Sequence, residues 1–171
     1  MAILNILTAP DPKLRLKAER VEDIAAVQGL IDDMLETLYA TENGIGLAAT
    51  QVGRKEAVVI IDLSESRDQP LVLINPQLIS GTEKVLGQEG CLSVPDYYAD
   101  VERYSSVVVS ALDRKGNPIT IESSDFWPLS CSMKLIIWMA TCSLITCHRS
   151  SGRWHSNELK NLSSPPVNIC G

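Results

Sequence analysis

The stretch DIAAVQGLIDDMLETLYATENGIGLAATQ, residues 23–51, decides the fold class. Its first part carries Ile24, Val27, Ile31, Met34, Leu35 and Leu38 at helical spacing, with Asp32, Asp33 and Glu36 on the opposite side. That pattern predicts an amphipathic helix from Asp23 to Thr41, stopped by Asn43 and Gly44. Its last part, GIGLAATQ, matches the spacing of a dinucleotide-binding loop through Gly44, Gly46 and Ala49. Such a loop must follow a strand, which delivers the phosphate to the start of the next helix. Here a helix comes first. The nucleotide reading fails, and a parallel doubly wound sheet fails with it.

The flanking sequence points the same way. AVVIIDL (57–63), PLVLINP (70–76), VVVSAL (107–112) and PITIES (118–123) are short β-branched runs that read as strands, and DRKGN (113–117) reads as a hairpin loop. PDPKLR (10–15) reads as a turn followed by an extended entry. No alternation of β and α units runs through the chain. The expectation is an α+β fold of small, mainly antiparallel sheets packed around helices.

A chain of 171 residues is long enough for one domain with a core of its own, and 45% apolar with 21% charged residues is ordinary for a globular protein. A net charge of -6 argues against non-specific binding to nucleic acid or an anionic membrane. The opening MAILNILTAPDPKLR has no cationic start, and Pro10 and Pro12 cut its apolar run short, so it does not read as a signal peptide. The longest uncharged apolar stretch, Leu135–Cys147, is too short to span a bilayer. Five cysteines without an export signal read as reduced thiols in a cytoplasmic protein.

Two motifs carry chemistry. In GIGLAATQ (44–51) the two glycines allow the backbone close to a ligand, and the Gln51 amide can donate to a developing oxyanion. Such a stretch in isolation is more often a helix stop and a turn. In QEGCLSVP (88–95), Cys91 taken alone is most often a small buried apolar residue. Its neighbours Glu89, Gly90 and Ser93 make the setting polar, which favours a ligand or a nucleophile. A metal ligand needs His or Cys partners, and none precedes residue 127.

Taken together and in this order, GIGLAATQ and EGCLS (89–93) resemble the first two signature motifs of bacterial peptide deformylases, and PDPKLR and LINP (73–76) agree. The resemblance covers residues 1 to about 126. It implies removal of the N-formyl group from N-formylmethionyl nascent peptides at the ribosome. It implies one divalent metal, natively Fe²⁺ with Zn²⁺ or Ni²⁺ as substitutes, held by the motif-two cysteine and two histidines of an H-E-x-D-H helix. The metal activates the water that attacks the formyl carbon, and the glutamate of that helix is the general base. Carried over by position, Cys91 is the metal ligand and Gln51 with the backbone N–H of Leu92 holds the oxyanion. Gly44, Ile45, Gly46, Glu89 and Gly90 line the bound peptide.

The third motif is missing. From 127 onward the composition changes: residues 127–171 hold four cysteines, three tryptophans, both histidines and eight serines, but one acid, Glu158. His148 and His155 have no glutamate between them. Joining the last base of each codon to the first two of the next reads a second frame. Trp127/Pro128 must give Ala, Met133/Lys134 Glu, Trp138/Met139 Asp and Met139/Ala140 Gly. The junctions between permit Q-H-E-I-D-H-L-D-G, the family pattern with its Glu and Gly on forced positions, and Ala140 to Cys147 permits N-L-F-I-D-Y-L. One T lost from TTT-TTG turns Phe-Leu into Phe126-Trp127. The chain thus divides into a deformylase-like domain, 1–126, and a frame-shifted segment of that domain, 127–171. The alternatives are a deformylase-like protein that binds formyl-peptide without cleaving it or folds poorly, and a substitute metal site from Cys91 with Cys131, Cys142, Cys147 and His148.

Overall fold

The computed structural model describes residues 2–82 and 84–123, with the backbone alone at 15, 84–90, 94–103 and 123. The expected boundary at residue 126 and the segment 127–171, with its cysteines and histidines, lie outside the described residues.

The elements follow the order α1 (Gln28–Ala40), β1 (Gly46–Ala48), β2 (Val58–Ile61), β3 (Leu71–Gly81), β4 (Lys84–Cys91), β5 (Val94–Tyr104), β6 (Val107–Leu112) and β7 (Pro118–Ser123). The first three strands and the last two form one antiparallel sheet in the order β1-β2-β3-β6-β7, and β4 pairs with β5 alone. The expected α+β class with antiparallel sheets is what forms.

The β-branched runs are continuous because the sheet is covered on both faces. On one face Leu47, Val58, Ile60, Val72 and Ile74 pack with Ile31, Met34 and Leu38 of α1. On the other, Ala48, Val59, Ile61 and Leu73 pack with Val107, Val109 and Ala111. Successive residues of β2 therefore serve opposite cores, and all four are buried. Each Leu, Ile or Met so placed contributes on the order of 1.5–3 kcal/mol from burial.

Three local expectations need correction. PDPKLR forms a short 3-10 helix, Pro12–Arg15, because the Asp11 carboxylate accepts the Lys13 N–H at 2.8 Å and Pro12 has no N–H to leave unpaired. The regular helix begins at Gln28 rather than Asp23, since Asp23 caps the Ala25 N–H and a 3-10 turn, Ala25–Val27, leads in. It ends at Ala40 and is capped by Thr41 rather than stopped by Asn43 and Gly44: the Thr41 hydroxyl donates to the Leu38 carbonyl and accepts the Gly44 N–H.

PLVLINP is only the first part of β3, which bends at Asn75. This residue is left-handed, φ 53°, and the register with β6 shifts between Ile74 and Gln77. Its side chain accepts the Val21 N–H and donates to the Val21 carbonyl, both at 2.8 Å, tying the N-terminal segment to the sheet. Asn75→Ala loses both bonds and leaves alanine in a left-handed conformation that asparagine tolerates better. The expected loss in chemical denaturation is about 3–4 kcal/mol, from ~1 for each of the two hydrogen bonds and ~1–2 for the backbone. A loss below ~1 kcal/mol would show that the clamp contributes little.

Candidate active site

Gln51 lies in a 3-10 turn, Ala49–Val52, directly after edge strand β1, and is buried. Its position in that turn lets the side chain reach back so that Oε1 accepts the Ala48 N–H at 2.9 Å. That bond fixes which end of the amide faces where. Nε2 is aimed at the Ser93 hydroxyl, 3.3 Å away, and at the Cys91 thiol, 3.9 Å away.

Cys91 ends β4, opposite Val94, so Leu92 and Ser93 form the turn into β5. The N-terminal segment closes the two motifs onto each other. The Leu7 N–H donates to the Gln51 carbonyl and the Ala9 N–H to the Ser93 carbonyl, both at 2.8 Å. Gly44 completes the contact, since a β-carbon there would sit 3.3 Å from Leu92 Cδ1 and would collide with Thr41 Oγ1. Residues 44–51 and 91–93, far apart in sequence, thus share one place in the fold. Glu89 and Gly90 are in β4 opposite Ala99 and Tyr98; the Glu89 side chain lies outside the described residues.

Among the described residues, strand β1 is an edge of the sheet. Its Ile45 carbonyl accepts the Asp62 N–H at 2.9 Å, and Gly46, Leu47 and Ala48 lie opposite Ile61, Ile60 and Val59. In an antiparallel ladder the paired residues alternate. Leu47 therefore turns its N–H and C=O to β2, while those of Gly46 and Ala48 point out of the sheet. The Gln51 side chain takes the Ala48 N–H. The Gly46 groups face the open side, where an extended chain can add.

A polar network backs this edge. The Tyr39 hydroxyl donates to the buried Asp62 at 2.8 Å, and Asp62 also accepts from Ser64 and the Gln69 N–H. Burial acts to raise the Asp62 carboxyl, but hydrogen bonds from Ser64, Tyr39 and Gln69 outweigh it and hold it below the usual range. Burial and the bond to Asp62 push the Tyr39 phenol up to about 12. The native state thus keeps a proton that the unfolded chain releases near pH ~10. The network's contribution is complete below that pH and falls as pH climbs toward about 12. Melting temperature is expected to drop across this window, and Tyr39→Phe to flatten that part of the profile. An equal alkaline slope in both proteins would remove Tyr39 as its source.

Among the described residues no group of three or more His, Cys, Asp or Glu is placed to hold a metal ion. Cys91 is the one expected ligand within them, so they do not by themselves fit a metal held by three protein groups. Sequence reading missed Ser93 and Ala48 as the groups that orient Gln51. A serine two residues past the cysteine was the available signal.

The sequence model of the family described as polypeptide deformylase matches residues 3–131. The chain belongs to this family. Peptide deformylase 2 of Vibrio parahaemolyticus is 72% identical to it over 126 residues, 74% of this chain and 75% of that protein. Peptide deformylase 3 of Shewanella oneidensis is 57% identical over 126 residues, 74% of this chain and 77% of that protein. Among solved structures, a peptide deformylase from Legionella pneumophila superposes with a TM-score of 0.77 at 36% identity, covering 83% of this chain and 84% of that one. One from Synechococcus elongatus, in complex with actinonin, gives 0.74 at 37%, covering 80% and 73%. Deformylases of this family depend on a metal. No helix among the described residues of this deformylase-family chain is long and apolar enough to cross a membrane.

Proposed function

We propose that residues 44–51 and 89–93 form the peptide-facing half of a formyl-peptide deformylase site, whose metal-holding half is encoded in a frame that the chain leaves near Phe126. The observation that carries this is the Gln51 amide aimed at the Cys91 thiol at 3.9 Å, beside the open edge of β1. An N-formylmethionyl peptide adds to that edge at Gly46, lined by Gly44 and Ile45 on one side and by Glu89 and Gly90 on the other. Its formyl oxygen is met by the Gln51 Nε2–H and the Leu92 N–H, which answer the charge that develops there. Cys91 is the ligand for a divalent metal, Fe²⁺ natively and Zn²⁺ or Ni²⁺ in substitution, which would supply a Lewis acid beside the formyl group.

The frame reading draws support from length. The relatives' identity runs over 126 residues, the number that precede the change in composition. One domain, 1–126, therefore continues in the other frame, and 127–171 replaces the rest of it. The substrates are nascent chains at the ribosome in the cytoplasm, with no role for membrane or direct nucleic-acid binding.

The nucleotide sequence across codons 124–140 tests the frame. Restoring one base and measuring formate release from formyl-Met-Ala-Ser tests the site. A restored chain that binds metal and releases no formate would end this reading.

A further inference from the structure

One side chain outside both motifs gathers the carbonyl groups at the end of α1. Arg67 donates from Nη1 to the Thr41 carbonyl at 2.7 Å and from Nη2 to the Leu38 carbonyl at 2.8 Å. The same Nη2 donates to the Gly44 carbonyl at 3.0 Å, and the guanidinium lies over the Tyr39 ring, 5.6 Å from its centre. Its backbone is left-handed, φ 54°, a conformation an arginine adopts only where its surroundings impose it.

A cation at a helix C-terminus answers the unpaired carbonyls and the negative end of the dipole. That accounts for Leu38 and Thr41. It does not account for Gly44, which lies beyond the helix at the start of the run into β1. There the Gly44 N–H donates to Thr41 Oγ1 at 3.0 Å, Arg67 donates to the Gly44 carbonyl, and the backbone N–H of Asp62 donates to the next carbonyl, that of Ile45. The 62–67 loop thus grips two successive peptide groups immediately before Gly46. Packing adds to the constraint, since a β-carbon at Gly44 would also press on Leu38 at 3.2 Å.

We propose that Arg67 is a positioning residue for the bound peptide: by holding the Gly44 carbonyl against the end of α1, it sets where β1 presents Gly46 to an added strand. This rests on the reading of β1 as the peptide-pairing edge. Arg67 touches no substrate; it removes the freedom of a strand that is paired on one side only.

The test uses the full chain, Arg67→Ala, Arg67→Lys, and Val109→Ala as a cavity variant in the core on the other face of the sheet. Affinity for formyl-Met-Ala-Ser is measured by calorimetry well below each melting temperature, with amide exchange at Leu47 and Val72. A misplaced strand predicts ~10- to 100-fold weaker binding for Arg67→Ala. Arg67→Lys should fall between, because one ammonium cannot reproduce the planar fork over three carbonyls. Exchange at Leu47 should quicken relative to Val72, while Val109→Ala loses stability and keeps its affinity. Equal affinity in Arg67→Ala and the unsubstituted chain overturns the proposal. So does a loss of affinity that follows melting temperature alike in Arg67→Ala and Val109→Ala. If the unsubstituted chain takes up no peptide, the reading of β1 itself falls and the role of Arg67 goes with it.

Discussion

Purified as the 171-residue chain, this protein is expected to release formate from formyl-Met-Ala-Ser at least ~10⁴-fold more slowly than the same chain with one base restored. On the reading proposed above, the chemistry needs four groups: a cysteine, two histidines and a glutamate. The printed sequence keeps Cys91; nowhere does it contain H-E-x-D-H. A single thiolate does not hold Fe²⁺ or Zn²⁺ with an open position for water, which takes three protein ligands. The absent general base alone is worth ~10²–10⁴ in rate, and the absent Lewis acid several kcal/mol more. Metal analysis and assay belong together. The restored protein should carry about one metal per chain, and the 171-residue chain substoichiometric metal whose removal changes nothing. Equal turnover by the two would move the search to His148, His155 and the tail cysteines as replacement ligands.

Gln51→Ala in the restored protein is expected to lower kcat by ~10²–10³, the usual cost of losing one oxyanion donor. Alanine, however, also strips the Ala48 N–H and the Ser93 hydroxyl of a partner, so part of its effect is structural. Gln51→Glu separates the two roles. A carboxylate oxygen still accepts the Ala48 N–H, so the turn is kept. The other oxygen cannot donate, and it puts negative charge where the oxyanion forms. If donation is the role, kcat falls at least as far in Glu as in Ala while peptide affinity changes less. An active Glu variant would assign the oxyanion to other donors.

What the sequence made legible depended on whether local pattern and burial agreed. Ile31, Met34 and Leu38 face one core, so α1 was evident, although its first turns were not, because Asp23 and Ala25–Val27 satisfy the start with 3-10 geometry. VVVSAL became β6 with its expected bounds because one face of that strand is buried and the other is not. β4 and β5 escaped notice. KVLGQEGC has two glycines and no clear alternation, and it is ordered by pairing with a partner strand rather than by propensity. The nearness of Gln51 to Cys91 was foreseen from mechanism. That Ala48 fixes the direction of the amide was not, since it depends on an acceptor three residues along a turn no pattern announced. Arg67 was invisible for a similar reason: its partners are backbone carbonyls, which leave no mark in a sequence.

The strap from Leu7 to Ala9 has a consequence for how the protein comes into being. Its N–H groups close on Gln51 and Ser93, contacts that bridge long stretches of chain. Closing such loops costs entropy before it returns any contact energy, which makes this joint slow to form. During synthesis at ~5–20 residues per second, residues 4–9 emerge long before Ser93 does, and Leu4, Ile6 and Leu7 must wait exposed. Residues made well ahead of Ser93 are thus among the last to find their places, and the cleft they seal does not exist until they do.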